Sequence, residues 1–327
     1  MNLVARAVRA LGLAVVVALM PAQAAAGSAL HAETDSAWGR LRADDLRLAT
    51  LAERLAVANA ALCSRQIPAT GLVLHALDQY PVDQRAAARA AFAFPAPLAV
   101  EAVIAGSGAE RAGLRAGDGL LAINGQAINT DPLPPRPDTR RRDAALDLIE
   151  QAPPDQPIRL DVLRGADRLT LMLTPRPACR VRAELLTDGA TVAHADGRLL
   201  QVSSALLDRF DDEGLVVVVA HELAHVVLRH GDQLAAAGVR RGFFGEFGRS
   251  ARLAHATEDE ADRYSVRLLV NAGYDSGLGS RFWQGAGRSL DAGLLRDATH
   301  SPPSRRARIM AEEAARLAPA RTTPAIP

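Results

Sequence analysis

The segment that most constrains this chain is His221-Glu222-Leu223-Ala224-His225, flanked by apolar residues at 216–220 and 226–228. Residues four apart lie on one face of an α-helix, so a helix here brings the two imidazoles together. Because its flanks are apolar on every side, we expect this helix to be buried, and buried histidines and carboxylates need partners. A zinc ion supplies one: two neutral imidazoles bind it, and the adjacent Glu222 can act as general base toward water.

One class of zinc site is excluded by the residues that follow. The longer histidine motif of the metzincins would require glycine at 228 and histidine at 231, but the chain has Leu228 and Gly231. A third zinc ligand must therefore come from elsewhere in the sequence.

The acidic stretch at residues 256–264 offers that ligand. Thr257 as an N-cap, with Glu260 three residues later, predicts the start of a second helix. Glu258 and Asp262 lie four apart and share a face of this helix, so the first can bind zinc and the second can orient a ligating histidine. An acidic first turn also suits the helix dipole without any metal. Two rival ligands remain, His255 and Glu246.

Together these motifs resemble the HtpX/Oma1/CAAX-prenyl-protease type of zinc metalloendopeptidase. The resemblance covers roughly residues 180–312, from a glycine-containing strand through the HExxH helix to an ExxAD helix. It implies one zinc ion per chain, with Glu222 as the catalytic base and Asp262 as a supporting residue. The implied ligands are His221, His225 and Glu258. His230 fits the family's helix pattern, but it lies five residues beyond His225 on another face, so we interpret it as structural.

The family also has a histidine near its C-terminal end, followed by proline and an Arg-Ile pair. Here Ser301 separates His300 from the proline, and the interval to the arginine is longer than in the family pattern. Arg308 fits by its isoleucine neighbour, whereas Arg306 fits better by its distance from His300. The resemblance implies catalytic roles for His300 and Arg308, either stabilising an oxyanion or capping the site before substrate arrives. A solvated basic helix start explains the same residues equally well.

An earlier part of the chain, residues 66–177, contains short apolar segments separated by glycines. Residues 100–104 alternate like a strand, Asn124-Gly125 predicts a type I′ turn, and residues 158–173 predict a hairpin through Gly165. The stretch GAERAGLRAGD is similar to bacterial PDZ domains. That resemblance implies that Gly71 and Leu72 form the loop whose amides capture the C-terminal carboxylate of a peptide. A domain that only packs against the protease is the alternative.

The N-terminus has the pattern of an export signal. Arg6 and Arg9 precede an apolar segment at residues 11–20, and small residues at 21–26 offer cleavage sites. Its removal leaves 36 basic and 37 acidic side chains, so nothing indicates a nucleic-acid partner. No other apolar segment reaches membrane-spanning length. Cys63 and Cys179 are the only cysteines, and in an oxidising compartment we expect them to form a disulfide; two buried thiols are the alternative.

The sequence thus predicts an α+β protein: a PDZ-type β-rich domain followed by a mainly α-helical zincin (gluzincin) catalytic domain. The expected order is a signal peptide (1–26), a helical lead-in (27–65), the PDZ-like domain (66–177), the zinc metallopeptidase domain (178–317) and a disordered tail (318–327). The expected function is a periplasmic or secreted endopeptidase acting on misfolded or envelope proteins, with the PDZ domain binding substrate or regulating access. The alternative is a PDZ-type binding or chaperone protein with a latent protease site.

Overall fold

The computed structural model describes residues 22–187, 189, 192–195, 197–239, 249–291 and 301–317, with side chains at 22–36, 249–251 and 291 excepted. Several predictions concern other residues. Most of the predicted signal peptide, the rival ligand Glu246, the proposed catalytic His300 and the predicted tail at 318–327 lie outside the described residues.

The first half of the chain combines one long helix with a series of short strands. In order these elements are α1 (Ala22–Ala58), β1 (Gln66–Ala69), β2 (Leu72–Ala76), α2 (Arg85–Ala91), β3 (Leu98–Val103), α3 (Gly108–Arg111), β4 (Gly119–Ile123), β5 (Gln126–Ala127), α4 (Arg140–Glu150), β6 (Ile158–Arg164) and β7 (Asp167–Leu173).

Six of these strands form an antiparallel sheet in the order β2-β3-β4-β6-β7, with β5 paired to β4. The turns predicted from the sequence join neighbouring strands of this sheet. Asn124 and Gly125 both have positive φ, 49° and 81°, as a type I′ turn requires, and Gly165 has a φ of 62° in the β6–β7 hairpin. Helices α3 and α4 pack on the buried side chains of the sheet. Strand β2 lies at the edge, which leaves its outer side open to a further strand.

The second half is mainly helical. Its elements are β8 (Arg176–Cys179), β9 (Arg182–Leu186), β10 (Ala193–Ala195), β11 (Leu199–Ser203), α5 (Ser204–Arg209), α6 (Asp212–Leu228), α7 (His230–Ala236), α8 (Arg249–Asn271), α9 (Leu278–Gln284) and α10 (Pro303–Leu317). Strands β10, β11 and β9 form a small sheet in that order, and β8 pairs with β1.

Helix α6 lies at the centre of this half, and all its residues from Gly214 to Ala224 are buried. The Asp211 carboxylate accepts a hydrogen bond from the Gly214 amide and caps its first turn. Around α6 pack α8, α9 and also α1, whose Leu51 and Leu55 belong to the same apolar core, while α10 packs on α8 and α9. The long first helix is therefore an integral part of the helical half.

A disulfide joins Cys63, just after α1, to Cys179 in β8. These cysteines flank the sheet domain, so the bond ties both of its chain ends to the helical half. Among the described residues, no single helix has both the length and the apolar character needed to cross a bilayer; α6 and α7, bent by 51°, pass that test only as a pair.

Candidate metal centre

Three side chains converge at one point, two from helix α6 and one from helix α8. His221 and His225 lie one turn apart, and their Nε2 atoms are 3.1 Å from each other. Glu258 of α8 completes the group, with Oε2 3.1 Å from His221 Nε2 and Oε1 3.5 Å from His225 Nε2. His221 is 3% exposed, whereas His225 and Glu258 are partly buried.

The separations between these donor atoms fit a zinc ion. Tetrahedral ligands about 2.0–2.1 Å from zinc are about 3.3 Å from one another. One ligand atom from each of the three residues lies within 4.8 Å of the other two. Two imidazoles and one carboxylate also match the ligand chemistry of catalytic zinc sites, which keep a fourth position open.

Helix α8 begins earlier than the sequence analysis predicted. It starts at Arg249, and Thr257 is an interior residue whose hydroxyl donates to the Ala254 carbonyl oxygen. The N-cap assignment was wrong because threonine can also bond back to a preceding carbonyl within a helix. The common face of Glu258 and Asp262 is unaffected, since it depends only on their spacing.

Behind the cluster, Asp262 and Arg306 hold His221. Asp262 Oδ1 lies 2.9 Å from His221 Nδ1. Arg306 donates to both oxygens of Asp262, at 2.8 and 2.5 Å, and its guanidinium carbon lies 3.8 Å from the centre of the Trp283 ring. Asp262 is 1% exposed and Arg306 6%, so this is a buried ion pair. It leaves the His221 Nε2 atom directed at the donor cluster.

The charges around His221 set its protonation. Burial and Arg306 lower the pKa of His221, but hydrogen bonds to Asp262 and Glu258 outweigh them and raise it to about 9. Burial raises the pKa of Asp262, yet Arg306 and His221 hold it well below its usual range. Since a histidine binds a metal through an unprotonated nitrogen, metal binding at His221 would be coupled to proton release from this ring.

His225 has its own buried partner. Helix α6 ends at Leu228, the φ of 57° at Arg229 turns the chain, and His230 begins α7. His230 Nδ1 lies 2.9 Å from His225 Nδ1, and its Nε2 lies 3.4 Å from Glu260 Oε2. The spacing of five residues predicts a different face for His230, and the break at Arg229 instead brings its ring to His225. Nothing in the sequence marks the break, since arginine seldom adopts positive φ.

Of the two candidate arginines, the structure brings only Arg306 to the cluster. Arg308 is exposed and pairs with Glu312 at 2.8 Å, so its assignment to the active site is corrected. Two residues along a helix correspond to about 200° of rotation, so the two arginines occupy opposite faces of α10. Asp259 of α8 fixes the rotation of α10 about its axis by accepting hydrogen bonds from Ser301 and Arg305.

The remaining predicted residues are easily placed. Glu222 is buried, at 7% exposure, and directly follows His221 on α6. The rival ligand His255 is exposed on α8 and is not part of the donor group.

A second candidate site lies beside the sheet. Gly71, with a φ of 76°, and Leu72 form the turn into β2, as predicted. A cavity of about 1170 Å³ extends along β2 between α1, α4 and β9, and is separate from the histidine cluster. Leu74 and Leu146 contribute apolar surface to it. The Gly71 amide donates to Glu53 Oε2 of α1 at 2.8 Å, a contact that the sequence did not indicate.

Residues 99–164 match the family model of the PDZ domain. The chain contains a PDZ domain. It is similar to the crystal structure of the HtrA3 PDZ domain bound to a phage-derived ligand (FGRWV), at 19% identity over 35% of this chain and 89% of that chain, with a TM-score of 0.26. No curated protein matches the sequence. The prediction of a PDZ domain is confirmed for residues 99–164, and the matched residues include neither β2 with its preceding loop nor the histidine cluster.

Proposed function

We propose that this protein is an exported zinc-dependent endopeptidase, with the metal bound by His221, His225 and Glu258. The observation that carries the proposal is the convergence of three donor atoms from two helices to within 4.8 Å. Each histidine has a further partner on its other ring nitrogen, Asp262 for the first and His230 for the second. Such partners fix ring orientation in metal sites.

A zinc ion bound there would polarise a peptide carbonyl and lower the pKa of a water molecule. The protein's own contribution starts at Glu222, whose carboxylate accepts the proton of the attacking water and passes it to the leaving amine. Asp262 and Arg306 hold His221 in the orientation that directs Nε2 toward the metal position. The PDZ domain would bind substrate or regulate its access.

Metal content tests the ligand assignment. Purified protein should hold about one zinc per chain by mass spectrometry, because three ligands and a water complete the tetrahedral preference. Glu258→Ala should lose most of it, whereas His255→Ala, which changes an exposed histidine on the same helix, should keep it. Full zinc occupancy in Glu258→Ala would reassign the third ligand, with Glu246 the next candidate.

Turnover tests the base. Glu222→Gln should retain zinc but lose casein hydrolysis by about 10²- to 10⁴-fold, because an amide cannot accept the proton. Activity near that of the wild type would remove Glu222 from this role.

The alternative is a PDZ-type binding or chaperone protein whose protease site is latent. The PDZ match and the cavity beside β2 favour a binding role. Zinc-loaded wild-type protein that leaves casein intact would support this alternative. In either case the disulfide is compatible with export, and we propose a periplasmic or secreted location.

A further inference from the structure

The loop that precedes β2 already binds a carboxylate, and that carboxylate belongs to the same chain. The Gly71 amide donates to Glu53 Oε2 at 2.8 Å, and Arg176 lies 3.7 Å from Oε1 of the same side chain. The Glu53 side chain is 15% exposed. The contact is thus a largely enclosed, charge-assisted hydrogen bond, which is stronger than one between neutral groups.

The position of this contact coincides with one end of the cavity beside β2. Glu53 lines the cavity together with Leu72, Leu74 and Leu146. Strand β2 is a sheet edge in the described part of the chain, where a peptide can add as a further strand. A peptide lying along β2 with its carboxyl end at Gly71 would need the amide that Glu53 now occupies.

We propose that Glu53 is an internal competitor for this loop, displaced when the terminal carboxylate of an extended peptide with an apolar last residue binds Gly71. The apolar preference follows from the leucines that line the cavity next to the loop. The negative charge of the terminal carboxylate replaces that of Glu53 at the same donor. The Gly71 amide at the end of the groove is therefore already occupied in the resting protein.

The competitor also connects the two domains. Helix α1, which carries Glu53, contributes Leu51 and Leu55 to the core around α6. Six residues before Glu53, Arg47 donates to Asp212 in the first turn of α6 at 2.6 Å and to the Phe210 carbonyl oxygen at 2.7 Å. Glu53 thus lies on the same helix, α1, whose Arg47 contacts the start of α6. An effect on catalysis rests on the proposed function, whereas the competition for Gly71 does not.

Peptide binding to the full chain tests the competition directly. Fluorescein-labelled peptides ending in free-carboxylate Val, Leu, Ile or Phe would be titrated by fluorescence anisotropy. All proteins would carry Glu222→Gln, so that no peptide is hydrolysed. In that background, Glu53→Ala should bind at least one of the peptides about 10- to 100-fold more tightly than its parent, because loss of a charge-assisted hydrogen bond no longer opposes binding.

The matched control is Glu184→Ala, which removes a carboxylate from the wall of the same cavity without contacting Gly71. Its affinity should stay within about twofold of the parent. Glu53→Gln keeps the shape of the side chain and loses its charge, so its gain in peptide affinity should lie between those of the parent and Glu53→Ala. This variant also serves as the test if Glu53→Ala proves unstable. The same peptides with C-terminal amides should show no gain.

Three results would overturn the proposal. The first is that the parent and both Glu53 variants bind the peptides with equal affinity, or that none of these proteins binds any peptide. The second is an equal gain in Glu184→Ala, which would indicate a general charge effect in the cavity. The third is an equal gain for amidated peptides, which would show that the carboxylate is not what competes.

Discussion

Replacing Arg306 by alanine should destabilise the helical half far more than the same change at Arg308. Arg306 is the buried cation that pairs with Asp262, through two hydrogen bonds, and lies over Trp283. Its removal takes the guanidinium from a carboxylate that is 1% exposed and leaves the His221 imidazole, 2.9 Å away, as the remaining partner named above. Breaking one side of a buried pair costs about 3–5 kcal/mol. The exposed pair between Arg308 and Glu312 contributes only about 0.3–0.5 kcal/mol.

The assay is urea unfolding followed by far-ultraviolet circular dichroism, which reports on the helices of this half. Both variants and the wild type would be measured with EDTA present, so that metal binding does not add to the stability of the folded state. Arg306→Lys is a useful third variant, because lysine keeps the charge but lacks the planar fork that bonds both oxygens of Asp262. The free energy of unfolding of Arg306→Lys should lie between those of the wild type and Arg306→Ala.

The ion pair should also affect metal affinity. Loss of a partner behind a metal ligand typically costs about 10- to 100-fold in affinity. We therefore expect Arg306→Ala to release zinc at lower chelator concentration than Arg308→Ala. Equal stabilities of the two alanine variants, or a change below about 1 kcal/mol for Arg306→Ala, would show that Arg306 does not neutralise a buried carboxylate.

Three further predictions concern other parts of the fold. Reduction of the bond between Cys63 and Cys179, which are 116 residues apart, should lower the free energy of unfolding by up to about 4–5 kcal/mol, measured by denaturant titration with and without dithiothreitol; an unchanged midpoint would contradict this. Burial and the nearby Asp45 raise the pKa of Glu101 from 4.5 to about 8, so the unfolded chain loses a proton that the folded chain keeps, and stability should fall as pH rises through that window. Glu101→Gln should remove a loss on the order of 3 kcal/mol between pH 5 and 8, and parallel pH profiles for the two proteins would refute the assignment. His230→Ala should weaken zinc binding about tenfold or more by freeing His225, as measured by competition with a chelating dye, and an unchanged affinity would leave His230 without that role.

Much of the candidate centre could be predicted because it depends on spacing within single helices. His221 and His225 are four residues apart, as are Glu258 and Asp262, and each pair shares a face wherever its helix begins. The error over Thr257 placed the start of α8 too late, since the helix already includes Arg249, but it moved neither face. The sheet domain was predictable for a related reason, because Asn124-Gly125 and Gly165 fix their turns through local backbone geometry.

Contacts between distant segments could not be predicted in this way. Arg306 and Arg308 both fitted the sequence pattern, and only the packing of α10 on α8, held by Asp259, decided which of them is buried. The approach of His230 to His225 depends on a positive φ at Arg229 that no local signal marks. Bringing Glu53 to the Gly71 amide requires a long helix from one core to reach the edge of another domain.

The sequence by itself therefore determined which residues share a helix face and where the tight turns fall. Both properties follow from backbone periodicity and from residues that tolerate positive φ. The tertiary structure alone decided which buried charges are paired. Such a pairing depends on the rotation and distance of helices that are far apart in the chain, and a shift of one residue along α10 would replace a buried ion pair with an exposed one.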